Sequence, residues 1–532
     1  MSSTFGAISV WVTLFGLALF PGIRLINGDQ APNIVFIVAD DLGFNDISWN
    51  NPKIISPNLD SLARNGTILN HNYVLPICSP TRSALMTGYY SVHTGRQSSV
   101  IWQQEPVGLF TNFTLMPEHL NTLGYESHAV GKWHLGYCNQ SYLPTNRGFK
   151  SFNGYFIGSE DYYSHLRPPS VGGGPPGYDF QHNEGPDLSA NGTYSSVLIG
   201  LHAEKIIRDH ALQTPEKPLF LYLPFQNVHS PLQVPDHYSN LYPNETNQAR
   251  KTFSGMVTAM DDAVGTVVKS LKSQGLFENT IIVFSSDNGG QTMSGGNNFP
   301  LRGNKGTLWE GGTRVPGFVH IPFSKNRARN VSSLFHVTDW LPTLYRAGGG
   351  DPHELGPIDG LDQWNLLVGN QDKGVRQEFL YNIQPIPSIE GAQARAAISD
   401  GNVYGYGSEK LFKVGDFKLL RGVPGEPSGW IPPAKSVDIP LERNNHLANL
   451  THFQAVPNFA SFEVRLYNIT SDPEERVDLS HNHPDIVESM LAKLARFDAS
   501  MIPPNIKPEV ASGNPNRFNG IYTPGWCQAQ PK

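Results

Sequence analysis

Acidic and amide side chains follow two apolar runs of this sequence at matching positions. Asp40 and Asp41 come directly after the first run, and Asp287 and Asn288 come directly after the second. Three carboxylates share a small volume only with a cation, because like charges raise each other's pKa. An all-oxygen set favours a hard divalent ion, Ca²⁺ or Mg²⁺, over Zn²⁺. If the two runs are neighbouring strands, these residues predict a metal site.

An ordinary structural role is the alternative for each cluster. Asp-Asp-Leu-Gly and Asp-Asn-Gly-Gly are both common in turns and helix caps. Taken separately, each segment favours that reading. The matching positions after two buried runs shift the balance to a metal.

The two runs themselves define the elements that must position these side chains. Asn33–Ala39 and Thr280–Ser286 are continuous buried-type runs and predict strands, as does 219–223. A long helix is predicted over about 252–276, because its apolar residues recur on one face. Strands that alternate with helices predict a largely parallel sheet, where ligands bind beyond the carboxyl ends of the strands.

The sequence changes character after about residue 370. Short strand-like stretches at 394–399, 410–421 and 463–469 are separated by loops rich in Gly and Pro. An amphipathic helix is predicted at 484–497. This pattern predicts a smaller α+β domain packed on the first domain.

Length, composition and charge exclude several classes of protein. A chain of 532 residues suggests two or three domains, or one large α/β domain with an appendage. The 39% hydrophobic content excludes disorder over most of the chain, and the net charge of -7 argues against a nucleic-acid binder. We predict a larger domain at 29–370 and a smaller C-terminal α+β domain at 371–532.

The N-terminus has the features of a secretory signal. Residues 5–20 form an uncharged apolar run that is short for a membrane span and lies where a signal peptide lies. We predict a signal peptide at 1–28 rather than a short membrane anchor, and no stable membrane span after its cleavage. Asn-x-Ser/Thr sequons support the secretory route as glycosylation sites, at Asn65, Asn112, Asn139, Asn191, Asn244, Asn330, Asn449 and Asn468.

One segment has the spacing of a known motif. Residues 78–88 read Cys-Ser-Pro-Thr-Arg-Ser-Ala-Leu-Met-Thr-Gly. This matches Cys-x-Pro-x-Arg followed by x-x-Leu-x-Thr-Gly and resembles the signature of the type I sulfatases. The alternative is a buried structural cysteine before a helix. The resemblance extends from Pro32 to about Ser480 and is closest to the arylsulfatase B (N-acetylgalactosamine-4-sulfatase) branch.

The fold that this resemblance implies is α/β and similar to alkaline phosphatase. It has a large mixed, mostly parallel sheet sandwiched by helices, and a smaller C-terminal α+β domain that carries an antiparallel sheet.

The resemblance also implies a modified nucleophile at Cys78. In this family the formylglycine-generating enzyme oxidises the motif cysteine to Cα-formylglycine. One hydroxyl of the hydrated aldehyde attacks sulfur and the other allows sulfate to be expelled, whereas a serine would leave a stable sulfate ester. One Ca²⁺ ion is implied, and its ligands are Asp40, Asp41, Asp287, Asn288 and the formylglycine from Cys78.

Cations and histidines receive catalytic roles by the same resemblance. Arg82 would hold the formylglycine hydroxyl and the metal site, and Lys132 and Lys305 would cradle sulfate oxygens. His134 would take the proton from the second hydroxyl, and His229 would bind sulfate or protonate the leaving alcohol. Which histidine acts as acid and which as base stays open.

The predicted activity is hydrolysis of sulfate monoesters of a sugar or an aryl alcohol, in the lysosome or the extracellular space. The alternatives are a formylglycine-dependent phosphonate or phosphate monoesterase, an inactive paralogue that binds sulfated glycans, and a sulfatase of a plant metabolite such as a glucosinolate. All ten implied site positions are intact, which argues against the inactive paralogue.

The chain has three cysteines, fewer than arylsulfatase B relatives carry. We hypothesise that Cys138 and Cys527, the two cysteines outside the motif, form a disulfide and that Cys78 has no disulfide partner in the chain.

Overall fold

The computed structural model describes residues 30–383, 402–407, 416–422, 424–425, 428–432 and 464–531. The signal peptide predicted at 1–28 lies outside these residues. So do the strand predicted at 394–399, the first part of the one predicted at 410–421, and the sequon at Asn449.

The strands of the described residues are β1 (Asn33–Ala39), β2 (Thr67–Leu69), β3 (Asn72–Tyr73), β4 (Glu126–Lys132), β5 (Ser151–Tyr155), β6 (Leu166–Arg167), β7 (Gly177–Tyr178), β8 (Gln181–His182), β9 (Gly185–Pro186), β10 (Leu219–Pro224), β11 (Thr280–Ser286), β12 (Phe318–His320), β13 (Arg329–Val331), β14 (Phe335–His336), β15 (Glu378–Asn382), β16 (Asn402–Gly407), β17 (Asp416–Arg421) and β18 (Val464–Asn468). The α-helices are α1 (Pro57–Arg64), α2 (Cys78–Thr87), α3 (Ser91–Thr94), α4 (Met116–Thr122), α5 (Ser195–Gln213), α6 (Asp236–Ser239), α7 (Gln248–Ser273), α8 (Glu310–Thr313), α9 (Trp340–Ala347), α10 (Trp364–Leu367) and α11 (Pro484–Ser500).

A ten-stranded mixed sheet forms the centre of the molecule. Its order is β13-β2-β12-β11-β1-β10-β4-β5-β8-β9. The five strands from β11 to β5 run parallel, whereas β12 and β8 are antiparallel to their inner neighbours. The predicted large, mostly parallel sheet is therefore confirmed.

Helices cover both faces of this sheet. The contacts of β1 explain why the sequence of that strand is apolar throughout. Ile34, Phe36 and Val38 belong to a core that also contains residues of α2, α4 and α9. Val35 and Ile37 belong to the opposite core, with residues of α1, α5 and α7. Because side chains alternate between two covered faces, every residue of β1 is buried.

Helix α7 is the long helix predicted at about 252–276, and it lies a few residues earlier. It begins at Gln248 because the Asn247 side chain accepts a hydrogen bond from the Arg250 N–H and caps it. It ends at Ser273, just before Gly275, which adopts a φ of 71°.

The C-terminal part forms an antiparallel sheet of order β15-β16-β17-β18, covered by α11. The predicted antiparallel sheet is confirmed, and the strand predicted at 410–421 is described at Asp416–Arg421. The predicted helix extends to Ser500. The domain boundary at residue 370 stays a prediction; it falls between α10 and β15.

After α11 the chain returns to the first domain. The Ile502 N–H donates to the Val92 carbonyl, and the Tyr522 N–H donates to the Tyr178 carbonyl. A disulfide joins Cys138 to Cys527, which agrees with the hypothesis from the sequence. Among the described residues, no helix combines the length and apolar character that a bilayer span needs.

A buried set of charges, the interdomain cluster, connects β17 to the first domain. Lys418 of β17 has its Nζ 3.0 Å from Glu310 Oε1 and 2.9 Å from Glu475 Oε1. The hydroxyls of Tyr73 and Tyr381 each donate to Glu310 at 2.9 Å. These five residues are almost fully buried, so the two domains share a polar centre as well as an apolar one.

Candidate active site

Four adjacent parallel strands end at one edge of the large sheet, and the residues after them form the site. Asp287 follows β11, Asp40 follows β1, His229 follows β10 by a short segment, and Lys132 is the last residue of β4. β1 and β11 pair in register along their whole length, so their carboxyl ends lie side by side. The topology therefore converts distant sequence positions into one cluster.

Potential metal ligands converge at this edge. Ligand atoms of Asp40, Asp41, Asp287 and Cys78 all lie within 4.8 Å of one another, and all four residues are buried. The Asn288 Oδ1 lies 3.5 Å from the Cys78 Sγ. Carboxylate and amide oxygens at this density fit the calcium ion that the sequence resemblance implies.

Each of the three carboxylates also has its own cation. The pairs are Asp40 with Lys132 at 2.7 Å, Asp41 with Lys305 at 2.7 Å, and Asp287 with Arg82 at 2.8 Å. We call these six residues the catalytic cluster. Their formal charges cancel, so a divalent ion among them would leave a positive site that suits an anionic substrate.

The three pairs leave some carboxylate oxygens directed into the cluster. Lys132 bonds Asp40 Oδ2, whereas Asp40 Oδ1 lies 3.6 Å from Cys78 Sγ. Arg82 bonds Asp287 Oδ2 through two nitrogens and also donates to the Lys132 carbonyl. Arg82 thus holds Asp287 and the end of β4 in place.

Burial and neighbouring charges separate the pKa values of the two adjacent aspartates. Burial and the charge of Asp287 raise the pKa of Asp40 to about 7, although Lys132 opposes them. Burial acts in the same direction on Asp41, but Lys305 and His229 outweigh it and lower its pKa to about 2. A cation between Asp40 and Asp287 would relieve their repulsion.

Cys78 is the first residue of α2 and is the free, buried cysteine of the described residues. Burial and the charge of Asp287 raise the pKa of its thiol far above the usual value. The unmodified thiol is therefore kept protonated, unlike the thiolate of a cysteine hydrolase.

His134 has one ring nitrogen engaged and one without a partner. Its backbone adopts the left-handed region with a φ of 57°. Nε2 lies 3.0 Å from the Ile101 carbonyl, so Nε2 carries the proton. Nδ1 is buried with no hydrogen-bond partner in the described part of the chain. Burial, together with Lys132 and Arg82, holds the pKa of His134 well below its ordinary value.

His229 has the opposite arrangement. Its Nδ1 donates to the Ser230 carbonyl at 2.6 Å, and its Nε2 lies 3.8 Å from Asp41 Oδ2. Burial and the charge of Lys305 lower its pKa to about 3. Both histidines are therefore neutral, and they offer different ring nitrogens, Nδ1 of His134 and Nε2 of His229.

Two supporting residues escaped the sequence reasoning. The Tyr162 hydroxyl donates to the His229 carbonyl at 2.8 Å and lies in a stretch that the resemblance covers. The Ser286 hydroxyl accepts from the Leu42 N–H and donates to the Asn288 carbonyl, which ties the two acidic turns together. A buried serine at the end of a strand gave no sequence signal for that role.

The sequons differ in exposure. The asparagines at 65, 112, 191, 244 and 330 are exposed, and those at 139 and 468 are half-buried. The five exposed positions are accessible to a glycan.

Comparisons with known proteins agree with this geometry. A family model described as Sulfatase matches residues 32–350. Arylsulfatase J of Mus musculus is 38% identical over 506 residues, which are 95% of this chain and 82% of that protein. Arylsulfatase A of Homo sapiens is 33% identical over 390 residues, 69% of this chain and 73% of that protein.

Solved structures give the same result. The crystal structure of Ps i-CgsB has a TM-score of 0.70 and 27% identity, and the match covers 93% of this chain and 100% of that one. The chain belongs to the sulfatase family, which makes it a sulfatase-type hydrolase. Its placement in the arylsulfatase B branch stays a prediction.

Proposed function

We propose that this protein hydrolyses sulfate monoesters with a formylglycine made from Cys78 and one bound Ca²⁺ ion. The observation that carries the proposal is the buried convergence of Asp40, Asp41, Asp287 and Cys78 within 4.8 Å, in a chain of the sulfatase family. The three cations beside the carboxylates add the positive field that a sulfate group requires.

The residues present fit the calcium ion and the modification. Asp40, Asp41, Asp287 and Asn288 would hold the ion together with residue 78, and the ion would stabilise negative charge on the reacting oxygens. The hydrated aldehyde would supply both the attacking hydroxyl and the hydroxyl that permits release of sulfate.

The cations of the chain bind and orient the ester. Lys132 bonds Asp40 and Lys305 bonds Asp41, and both point charges would donate to sulfate oxygens. Arg82 bonds Asp287 and the Lys132 carbonyl with three of its five N–H groups, and it would hold the formylglycine hydroxyl and the metal site.

The two histidines divide the proton transfers according to their free nitrogens. His134 would take a proton at Nδ1 from the second hydroxyl of residue 78, since its Nε2 is bonded to Ile101. His229 would bind sulfate or protonate the leaving alcohol through Nε2, since its Nδ1 is bonded to Ser230.

The substrate class is a sulfated sugar or an aryl sulfate. The resemblance to the arylsulfatase B branch makes an N-acetylgalactosamine 4-sulfate the first candidate, and the arylsulfatase names of two relatives support aryl sulfates as assay substrates. A sulfated plant metabolite such as a glucosinolate remains the alternative.

Maturation would take place in the secretory pathway, followed by residence in the lysosome or the extracellular space. A signal peptide at 1–28, glycans on the sequons and the action of the formylglycine-generating enzyme belong to this proposal. The Cys138–Cys527 disulfide and the exposed sequons support it.

The test combines one mass measurement and one assay. The protein is co-expressed with the formylglycine-generating enzyme in a eukaryotic secretory host, and the peptide spanning residues 65–82 is analysed after glycan removal. We expect formylglycine at position 78 and release of sulfate from an aryl sulfate. An unmodified thiol under these conditions contradicts the mechanism. Formylglycine with hydrolysis of phosphate or phosphonate esters alone supports the monoesterase, and formylglycine without any hydrolysis supports the glycan-binding paralogue.

A further inference from the structure

Ser79 follows the nucleophile position and lies in a closed ring of hydrogen bonds. Its side chain is fully buried in the first turn of α2. The Oγ donates to the His134 carbonyl at 3.0 Å and accepts from the Ile101 N–H at 3.0 Å. The Ile101 carbonyl in turn accepts from His134 Nε2–H at 3.0 Å. The Ser79 hydroxyl therefore connects α2, the helix of Cys78, to the His134 backbone and to Ile101, whose carbonyl binds the His134 ring.

These three bonds control His134 at its backbone and at its ring. The orientation of the His134 ring depends on its hydrogen bond to the Ile101 carbonyl. Ser79 binds the N–H of Ile101 and so helps to fix the position of that residue. The His134 backbone has a left-handed conformation, which costs free energy. The hydrogen bond from Ser79 to the His134 carbonyl helps to hold the backbone in that conformation. Neither segment is near Ser79 in sequence, because 22 residues separate it from Ile101 and 55 from His134.

The chemistry of the position explains which side chains suit it. A hydroxyl both accepts from an N–H and donates to a carbonyl, as serine and threonine do. Alanine would leave the buried His134 carbonyl and Ile101 N–H without their partner, and it would remove the hydrogen bond between His134 and α2. The Cys-x-Pro-x-Arg motif leaves this position variable, so the motif itself assigns Ser79 no role.

We propose that Ser79 is a positioning residue that fixes His134 relative to the helix of residue 78 and leaves its Nδ1 free to accept a proton. This inference rests on the proposed function for the role of His134 as proton acceptor, whereas the placement of His134 by Ser79 is independent of it. Loss of the tie should slow the step that needs the proton acceptor more than it weakens substrate binding.

The chain offers a matched control one turn further along the same helix. Ser83 is also buried, and its Oγ donates to the Pro80 carbonyl at 2.8 Å. It shares the residue type, helix and burial of Ser79, but it has no bond to the His134 or Ile101 segments among its described contacts.

The experiment is a double-mutant cycle with Ser79→Ala and His134→Ala, accompanied by Ser79→Thr and Ser83→Ala. Formylglycine content is measured by mass spectrometry for each protein, and kcat and KM for an aryl sulfate are expressed per formylglycine. We expect Ser79→Ala to lower kcat about 10-fold with KM changed less than about 2-fold, since misplacement of a catalytic group acts on the chemical step. Ser79→Thr should recover kcat to within about 3-fold of wild type, and Ser83→Ala should leave it unchanged.

The cycle separates positioning of His134 from a general structural effect. In the His134→Ala background, Ser79→Ala should change kcat less than about 2-fold, because the group that it positions is gone. A wild-type kcat for Ser79→Ala, or an equal loss in both backgrounds, overturns the proposal.

The melting temperatures of the four proteins of the cycle (wild type, Ser79→Ala, His134→Ala and the double variant) give a readout that does not depend on activity. The decreases in Tm should be less than additive if Ser79 and His134 share one hydrogen-bond ring, and additive decreases overturn the proposal. A wild-type protein with formylglycine but without sulfate release would refute the proposed function alone. Ser79→Cys keeps the volume with weak hydrogen bonding and replaces Ser79→Ala if that variant does not fold.

Discussion

Two buried charge clusters hold carboxylates against lysines in this molecule, and they are built differently. In the interdomain cluster, one lysine lies between Glu310 and Glu475, and two tyrosine hydroxyls complete the shell of Glu310. In the catalytic cluster, each carboxylate has a separate cation, and ligand atoms of the carboxylates still face each other and Cys78.

The two clusters differ in the groups that their carboxylate oxygens contact. Around Lys418 the protein supplies both oxygens of Glu310 with its own donors, which helps a buried ion pair to be tolerated. Around Cys78 it buries three carboxylates close together; burial and the charge of Asp287 raise the pKa of Asp40 and leave a site that a cation completes. We infer that the first cluster serves stability and the second serves chemistry, and the following predictions separate these roles.

The largest effect is expected at the nucleophile. Cys78→Ala removes the atom that becomes formylglycine, so we expect kcat/KM for an aryl sulfate to fall at least about 1000-fold. The Tm should stay close to wild type, because alanine removes only the thiol contacts with Asp40 and Asn288 and leaves the three ion pairs of the catalytic cluster intact. Cys78→Ser is the matched variant: its hydroxyl can attack once but cannot expel sulfate. Continued turnover by either variant would refute the mechanism.

Removal of calcium should have the next largest effect. Dialysis against a chelator, checked by elemental analysis, should lower activity about 100-fold or more and lower the Tm, and added Ca²⁺ should restore both. The Glu475→Gln variant should show the same calcium-dependent shift in Tm, because Glu475 is not one of the residues that would hold the ion. Full activity and an unchanged Tm in the metal-free protein would contradict the assignment.

Lys418→Met should act on stability instead. It leaves Glu475 buried without its cation and Glu310 with Arg314 alone at 3.8 Å, so the free energy of unfolding should fall by about 3–5 kcal/mol. Urea unfolding measures this, and kcat per formylglycine should change less than about 3-fold.

Two variants serve as controls for Lys418→Met. Lys493→Met breaks the partly exposed ion pair with Glu378 in the same domain and should cost less than about 1 kcal/mol. Lys418→Met with Glu475→Gln should recover part of the loss. A loss of kcat with unchanged stability would reverse the roles assigned to the two clusters.

Glu475 should contribute the smallest effect, a dependence of stability on pH. Burial and Glu310 raise its pKa from 4.5 to about 7, although Lys418 opposes them. Between these values the folded state holds a proton that the unfolded state has lost. This contribution is therefore complete below pH 4.5 and declines as pH rises through about 7. Glu475→Gln should flatten the curve of Tm against pH in this window by a few degrees.

The neighbouring Glu474→Gln serves as the control for the pH experiment. It removes the same charge at a half-buried position, so its curve should parallel that of wild type. Parallel curves for wild type and Glu475→Gln would show that the interdomain cluster does not titrate in this window.

The parts of the fold that the sequence predicts are those with strong local patterns. β1 and β11 match their predicted bounds, because a strand buried on both faces is apolar throughout. The sequence does not predict short strands such as β2 and β12, since three residues carry no periodicity and the pairing of these strands depends on distant segments.

The same distinction applies to the sites. The sequence predicts the acidic turns because each ends a long apolar strand, and it predicts the role of Cys78 because the neighbours of this residue form a motif. Lys418 was not found as part of a charge cluster, because its partner Glu310 lies 108 residues away and only the docking of two domains brings them together.

The Cys138–Cys527 disulfide spans 389 of the 532 positions of the sequence and therefore encloses about three quarters of the chain in one covalent loop. Any single proteolytic cut inside that loop, including one between the two domains, would leave a two-chain molecule held together by the sulfur bridge. Such a nicked protein would keep its full mass on a non-reducing gel and separate into two fragments only after reduction. A protease-rich compartment could therefore cut this chain once without dispersing the parts that build its active site.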